Sequence, residues 1–556
     1  MNSAAAMRER ALAAARAGRL EEAARLFDEA AAQHPRDAAL LNSVGSFHAG
    51  QRSDATALAW FDRALALAPS HAEAALNRAI VLGRLGRARD AAADLARREA
   101  SLRGHPRYWT ARAAAELTAD DPAAAQASYD AALRTDPASA RAIQGRAQVA
   151  LQRGADDAVA WHERALAAAP GDRFVVRGLA QAYEAAGRPA EALALTQALA
   201  TQVPDWTEGM EAHAALRWAM GERDSFCDHY AAAAAGGASA ALFHSWAMTL
   251  AGVDQHEEAA DVAREGLRRW PDAAPLAVVE TMAAGAAGDL MREERLLSAH
   301  DDGGETWAIH RARHRIRRVD PAGAAALLER VVATRADDIF AWSLLDVAWR
   351  MTGDDRHAWL SGQPGLVMDA PLALPPAAME AAIALLHRLH DRAAMPVGQS
   401  VKDGSQTRGA LFARAEPAIG AIREAIADAI ERYRAGLPPH DSAHPLLRHR
   451  DRPWKVTGSW SIRLNGAGRH ASHIHPAGIV SSASYFVVPP AQQNDECAGW
   501  LELGRPPSDL RTDLPAMATI PPRPGHAVLF PSTLFHGTRP IGAGTRMTVA
   551  FDVAAD

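Results

Sequence analysis

The chain has 556 residues, of which 49% are hydrophobic and 23% charged. These proportions are ordinary for a water-soluble globular protein, and they exclude disordered, collagen-like and fibrous classes. A formal net charge of −6 provides no overall basic field to hold a polyanion, so we expect no nucleic acid partner. Two cysteines cannot form a disulfide framework, which favours a cytoplasmic protein.

The sequence predicts neither a signal peptide nor a membrane span. Residues 1–20 alternate charges with alanine and contain no continuous apolar core. The longest apolar run, residues 231–253, is rich in alanine and is interrupted by residues such as Gly236, Gly237, His244 and Ser245. We therefore expect no membrane partner.

Prolines and glycines recur with a period of about 34 residues in the first half of the chain. The prolines stand at positions 35, 69, 137, 170, 204 and 271, in steps of 34, 68, 33, 34 and 67. Glycines at 18, 50, 86, 154, 187, 221 and 252 follow the same period, and each is predicted to form a tight turn between helices. A bulky residue precedes a small one by three positions, as in Phe27 and Ala30. This pattern resembles the tetratricopeptide repeat, whose helix pairs stack into a superhelix.

We predict a multidomain protein of an α part and a β part. A tetratricopeptide array covers residues 1–356, and a linker over residues 357–375 follows, in which glycines and prolines interrupt the helical period. A second domain covers residues 376–556. By analogy with the repeat family, the array presents a concave surface to a protein or peptide. A generic alanine-rich helical bundle is the alternative.

The second domain is predicted to begin with helices and to end in strands. Amphipathic helices are expected over residues 377–389 and 417–437, with a polar loop at 399–407 between them. After residue 454 the hydrophobic period changes from 3.6 to 2, and strands are predicted over residues 459–464, 482–488, 499–503, 526–530 and 546–553. Short strands without intervening helices indicate a compact antiparallel barrel or jelly roll.

Three histidines and an arginine in this β-rich part form a candidate site. His473 and His475 project from the same face of a strand, and His536 follows 61 residues after His475. Neutral imidazoles bind Fe, Zn, Cu and Ni, although a chain with 23 histidines also contains incidental ones. Arg546 and Thr548 alternate with apolar residues. A guanidinium inside a barrel needs an anion, and a carboxylate is its natural partner.

Residues 376–556 resemble Fe(II)- and 2-oxoglutarate-dependent oxygenases, and more narrowly the oxygenase domain that bacteria attach to tetratricopeptide arrays. The resemblance implies a double-stranded β-helix, or jelly roll, with supporting helices. The motifs that carry it are QS at 399–400, GSQT at 404–407, SWS at 459–461, HIHP at 473–476, SSASY at 481–485, GWL at 499–501, FPS at 530–532, HGT at 536–538, and Arg546 before FDV at 551–553.

The resemblance implies that His473 and His536 bind Fe(II). His475 stands where most of the superfamily has an aspartate or glutamate. Either all three histidines bind the metal, or His475 stays outside and water takes the third place; we favour three histidines. An imidazole in place of a carboxylate leaves Fe(II) one charge less compensated.

The resemblance also implies roles around the cosubstrate, with no side-chain general base. Arg546 is expected to bind the distal carboxylate of 2-oxoglutarate together with Thr548, and Tyr485 is expected to donate its hydroxyl there, unless it belongs to the core. Residues expected near the substrate are Gln406, Thr407 and Arg463.

The resemblance predicts an oxygenase that hydroxylates a protein or peptide recruited by the array, because tethering raises the effective concentration of the target. One alternative is a small-molecule hydroxylase that uses the array for assembly. The other is a non-catalytic scaffold with a degenerate oxygenase domain.

Overall fold

The computed structural model describes residues 3–237, 239–300, 304–393, 397–489 and 495–555. The chain divides into two compact units, Met1–Leu179 and Ala180–Asp556. The predicted domain boundaries at residues 356 and 376 stay a prediction. No helix among the described residues is both long enough and apolar enough to cross a membrane.

In the part of the chain that the structure describes, helices fill both the first unit and the first half of the second. Their bounds are α1 (Ala4–Arg16), α2 (Leu20–Gln33), α3 (Ala38–Gly50), α4 (Asp54–Leu67), α5 (Ala72–Arg84), α6 (Ala88–Arg97), α7 (Glu99–Leu102), α8 (Tyr108–Thr118), α9 (Pro122–Thr135), α10 (Ala140–Gln152), α11 (Ala158–Ala168), α12 (Arg173–Ala185), α13 (Pro189–Gln202), α14 (Thr207–Ala219), α15 (Asp228–Ala235), α16 (Ala240–Ala251), α17 (His256–Arg269), α18 (Ala274–Ala287), α19 (Leu290–Ala299), α20 (Gly304–Arg317), α21 (Pro321–Thr334), α22 (Ile339–Thr352) and α23 (Arg356–Ser361).

Pairs of large and small residues nest these helices against one another. A Cβ atom on Gly45 of α3 would lie 2.7 Å from the ring of Phe61 in α4, and one on Gly145 of α10 would lie 2.2 Å from Tyr129 in α9. The aromatic ring of one helix therefore occupies the space that the glycine leaves on its neighbour. This close approach explains why bulky and small residues recur with the repeat.

The turn glycines are only partly as predicted. Those at 18, 86, 154, 187 and 221 have positive φ angles, the left-handed conformation that glycine adopts without steric cost. Gly50 and Gly252 do not. In those two turns the left-handed residues are Arg52, with φ of 60°, and Asp254, with φ of 66°. Short polar side chains such as aspartate tolerate this conformation better than most non-glycine residues.

The chain after α23 forms an antiparallel sheet with two supporting helices. The bounds of these elements are β1 (Met368–Pro371), α24 (Pro376–His390), β2 (Val401–Gln406), α25 (Pro417–Gly436), β3 (Trp454–His473), β4 (Val480–Val487), β5 (Leu501–Leu503), β6 (Ala518–Ile520), β7 (His526–Pro531), β8 (His536–Thr538) and β9 (Thr545–Ala555).

Within the described residues, nine strands form one curled sheet in the order β1-β7-β4-β9-β3-β8-β5-β6, with β2 paired to β3. The long strand β3 pairs with β9 over residues 454–465 and then with β8 at His470 and His473. One strand thus joins the β9 side of the sheet to the short strands β8, β5 and β6. The helices and the antiparallel sheet agree with the predicted fold class, whereas the jelly roll itself stays a prediction.

Strand β9 separates the apolar core of the sheet from a cavity. Alternate residues on one face, Met547, Val549, Phe551 and Val553, belong to the same buried cluster as Leu386 of α24 and apolar residues of α25. The residues between them, Arg546, Thr548 and Ala550, line the cavity. This two-residue alternation is what a strand with one apolar and one polar face produces.

A second buried cluster is shared between the last helices of the repeats and the sheet. It contains Ile316 of α20, Leu345 of α22 and Leu360 of α23 together with Phe535, the residue before β8. Ile474, the residue after β3, packs against this cluster. The backbone that carries the three histidines is therefore supported by the repeat helices.

Candidate metal centre

The structure brings His473, His475 and His536 together. His473 is the last residue of β3 and lies directly opposite His536 on β8, while His475 follows two residues later. One ring nitrogen from each of the three lies within 4.8 Å of the others, and Nε2 of His473 is 3.0 Å from Nε2 of His475.

Each of these imidazoles uses its Nδ1 for a protein hydrogen bond. Nδ1 of His473 donates to the carbonyl oxygen of Ala471 at 2.8 Å, and Nδ1 of His536 donates to that of Leu534 at 3.1 Å. Nδ1 of His475 lies 2.6 Å from Oδ1 of Asp552. Because these acceptors hold a proton on Nδ1, the lone pair of each ring is on Nε2. Metal-binding histidines are usually held in this way.

The electrostatics favour neutral rings at His473 and His536. Burial, followed by the charge that the neighbouring His475 would carry, lowers the pKa of His473 to about 3. Burial, followed by the charge that His473 and His475 would carry, also lowers the pKa of His536 well below its usual range. A neutral imidazole is the form that binds a metal, so the protein keeps these rings ready for ligation without competition from protons near neutral pH.

Arg546 and Thr548 line the same cavity as the three histidines. The side chain of Arg546 is only 2% exposed, its Nε has no hydrogen-bond partner, and no carboxylate among the described residues forms an ion pair with it. An unpaired guanidinium costs several kcal/mol when buried. This orphaned group, which faces the cavity, fits an anionic ligand such as a dicarboxylic acid.

Tyr485 lies beneath the guanidinium and does not line the cavity. Its ring centroid is 5.1 Å from the guanidinium carbon of Arg546, close enough for a cation–π contact, and its hydroxyl has no partner among the described residues. Burial raises the pKa of Tyr485, an effect that Arg546 partly offsets. The ring therefore supports Arg546 from behind.

The three residues that were predicted to lie near the substrate have different positions. Gln406 lines the cavity. The hydroxyl of Thr407 instead accepts the backbone N–H of Ser461 at 2.9 Å, which ties the end of β2 to β3. Arg463 pairs with Asp391 at 2.8 Å and is absent from the cavity lining. The geometry thus gives Thr407 and Arg463 structural contacts.

Sequence reasoning missed several polar residues of the cavity, among them His470 and Ser400, and one residue beside it. His470 and Ser400 line it, and the hydroxyl of Ser400 lies 3.1 Å from Nδ1 of His470 and 3.2 Å from Nε2 of His473. Burial lowers the pKa of His470 well below its usual range. Asp552 holds His475. The sequence did contain a signal for Asp552, because every second residue from Arg546 through Thr548 lies on the same strand face, and this series reaches position 552.

The cavity walls between these groups are largely apolar. The ring of Trp460 lies 5.3 Å from that of His475, and the ring of Phe530 lies 4.8 Å from that of His536. Further apolar lining residues are Ile462, Ala483, Leu501 and Ala550. Among the polar groups between these walls, Arg546 is the cation and the histidines are the metal-binding side chains.

The sheet contains the region that matches a known family. Residues 458–552 match the family model described as "Putative 2OG-Fe(II) oxygenase". This part of the chain is similar to that oxygenase family. The matched region runs from β3 to β9 and includes His473, His475, His536 and Arg546. No curated protein matches the chain.

Solved structures similar to this chain include tetratricopeptide repeat proteins. One from Parabacteroides merdae has 21% identity and a TM-score of 0.37, over 43% of this chain and 94% of that chain. YrrB, described as a TPR protein with an unusual peptide-binding site, has 18% identity and a TM-score of 0.28, over 34% and 96%. The pilF protein of Pseudomonas aeruginosa has 16% identity and a TM-score of 0.33, over 37% and 95%.

Proposed function

We propose that the protein is an Fe(II)- and 2-oxoglutarate-dependent oxygenase that hydroxylates a protein or peptide recruited by its repeat array. The observation that carries this proposal is the presence, in one cavity, of three imidazole lone pairs and a buried guanidinium that has no acidic partner in the described part of the chain. The match of residues 458–552 to an oxygenase family supports the same activity.

The three histidines fit Fe(II). His473, His475 and His536 would bind it through Nε2, because their Nδ1 atoms are engaged by Ala471, Asp552 and Leu534. With three protein ligands, Fe(II) would still have positions free for cosubstrate and O2. The chemistry that the metal and 2-oxoglutarate supply is the reduction of O2, coupled to decarboxylation to succinate and hydroxylation of a C–H bond.

Arg546 would bind the distal carboxylate of 2-oxoglutarate. A planar guanidinium forms two parallel hydrogen bonds with a carboxylate, and in a buried site such charge-assisted bonds are strong. Thr548, on the same face of β9, offers a hydroxyl to the same group. Tyr485 holds the guanidinium from below. These residues orient the cosubstrate, while Trp460 and Phe530 exclude water.

The contacts between the repeats and the cavity support a macromolecular substrate. We call residues 397–408 the strap; it includes β2 and contributes Gln399, Ser400 and Gln406 to the cavity. The strap is anchored on the repeats: Arg408 pairs with Glu184 of α12 at 2.6 Å, and the N–H of Gly398 donates to the carbonyl of Gly252 after α16. A target held by the repeats that carry Glu184 and Gly252 would thus be near the groups that line the cavity, at a high effective concentration.

Succinate release tests the proposal. The purified protein is loaded anaerobically with Fe(II), supplied with O2 and 2-oxoglutarate, and mixed with either the protein fraction or the metabolite fraction of a cell lysate. We expect succinate above the uncoupled background with the protein fraction, and a lysate protein that gains the mass of one oxygen atom. The double variant His473→Ala/His536→Ala is the control and should release none.

Two outcomes contradict the proposal. Stimulation by metabolites alone would favour the small-molecule hydroxylase. No succinate from protein that has bound Fe(II), with either fraction, would favour the non-catalytic scaffold.

A further inference from the structure

Asp552 is an acidic residue that contacts the histidine cluster through His475. The cluster contains three imidazoles and, among the described residues, no carboxylate. Oδ1 of Asp552 lies 2.6 Å from Nδ1 of His475, and the hydroxyl of Ser481 donates to the same oxygen at 3.3 Å. The side chains of Asp552 and His475 are mostly buried, at 13% and 18% exposure.

We propose that Asp552 is a positioning residue that supplies, through His475, the negative charge that a carboxylate ligand supplies in sites with two histidines and one carboxylate. This inference rests on the proposed function. A carboxylate that accepts a hydrogen bond from the Nδ1–H group makes Nε2 a stronger electron-pair donor to a metal, and it fixes the orientation of the ring. The charge of a divalent ion is less compensated by three neutral imidazoles than by two imidazoles and a carboxylate. Asp552 would supply the missing negative charge through the imidazole of His475.

The position of Asp552 fits this role better than direct ligation. Its contact is with Nδ1 of His475, whereas the lone pair that faces the other imidazoles is on Nε2. The imidazole ring therefore lies between the carboxylate and the metal position. Asp552 is also six residues from Arg546 along β9, or roughly 20 Å, so the two charges serve different parts of the cavity.

Co(II) binding to the apoprotein tests the inference without turnover. Asp552→Asn keeps the size of the side chain and removes its charge. We expect 10- to 100-fold weaker Co(II) binding and a shift of the Co(II) absorption bands, because the donor strength of His475 falls. Asp552→Glu retains the charge and should recover most of the affinity. Ser481→Ala, which removes the other contact of the same oxygen, is the matched control and should bind nearly as tightly as wild type.

A double-mutant cycle separates this role from a merely structural one. If Asp552 acts through His475, Asp552→Asn has no further effect on Co(II) affinity in a His475→Ala background. An equal loss of Co(II) affinity in both backgrounds would overturn the inference. So would wild-type Co(II) affinity in Asp552→Asn, and so would equally weak Co(II) binding by Asp552→Asn and Asp552→Glu. Failure of the wild-type apoprotein to bind Co(II) would instead contradict the proposed function.

Discussion

Arg546 is buried and has no acidic partner among the described residues, so its environment favours an anionic ligand. We predict that Arg546→Lys raises the KM for 2-oxoglutarate by roughly 10- to 100-fold, because an ammonium cannot replace the paired hydrogen bonds of a guanidinium, each worth about 1.5–3 kcal/mol when charged. Steady-state succinate release at varied 2-oxoglutarate measures this change.

Arg463→Lys is the matched control for this prediction. Arg463 lies on the adjacent strand β3 but pairs with the exposed Asp391 outside the cavity lining. We expect its KM for 2-oxoglutarate to stay within twofold of wild type. A similar KM in both variants would show that Arg546 does not bind the cosubstrate.

At the level of single residues, spacing and alternation located part of the site. The His473 and His475 pair and the alternation of Arg546 with apolar residues are local signals, and these side chains do line one cavity. Thr407 also follows a local motif, yet its hydroxyl holds the backbone of Ser461. His470 has no local signal, because its place depends on the pairing of β3 with β8, which a sequence does not display.

Among the secondary-structure elements, α24, β2 and β3 are joined by a buried histidine. His390, the last residue of α24, has one ring nitrogen 2.9 Å from the hydroxyl of Ser405 on β2 and the other 2.9 Å from that of Ser461 on β3. Burial lowers its pKa from 6.5 to about 3. The neutral ring thus bridges both strands from the end of the helix.

The low pKa of His390 makes the stability of the sheet domain depend on pH. Between pH 6.5 and 3 the unfolded chain binds a proton at this position that the folded protein does not, so the free energy of unfolding falls as the pH decreases below 6.5. We expect His390 to account for about 2 kcal/mol of the loss between pH 7 and pH 5. Urea unfolding at both pH values measures it.

His390→Gln should show a smaller loss of stability between pH 7 and pH 5, because the glutamine amide does not titrate in this range. The exposed His440 provides the control, and His440→Gln should keep the wild-type pH dependence. An unchanged pH dependence in His390→Gln would show that the folded protein protonates His390 as easily as the unfolded chain does.

The elements with strong periodicity were predicted well, and the short ones were not. The helix expected at 377–389 is α24, and the strand expected at 546–553 is β9, each within a few residues. The strands β1, β2, β6 and β8 were missed. Three of them have only three or four residues, and β2 consists largely of polar residues in what was predicted to be a loop. Such strands are defined by distant partners rather than by their own pattern.

On the scale of the whole molecule, a buried ionic cluster connects the repeat helices to the sheet. Arg317, at the end of α20, donates to Glu293 of α19 at 2.5 Å and to the carboxylate of Asp509 at 2.7 Å. Asp509 lies between β5 and β6, and the side chain of Arg317 is only 1% exposed. Removing one partner of such a cluster leaves an uncompensated buried charge.

We predict that Arg317→Met lowers the free energy of unfolding by about 3–5 kcal/mol. Arg315→Met, in the same helix, is the control: Arg315 is 46% exposed and pairs with Asp320 at 3.4 Å, so a loss of only about 0–1 kcal/mol is expected. Urea unfolding of the full chain measures both. Equal stability of the two variants would mean that the cluster does not hold the helices and the sheet together.

The anchoring of the strap has a consequence for how this array can evolve. Ordinary solenoids gain and lose repeats freely, because each repeat contacts only its neighbours. Here the strap has partners on two parts of the array that are two helical hairpins apart. They are Glu184 at the end of α12, and Gly252 with Asp254 in the turn after α16. Both parts contact fixed positions on the same short segment. Duplication or deletion of a hairpin between them would move one anchor out of register. The strap thus constrains the number of repeats in this stretch.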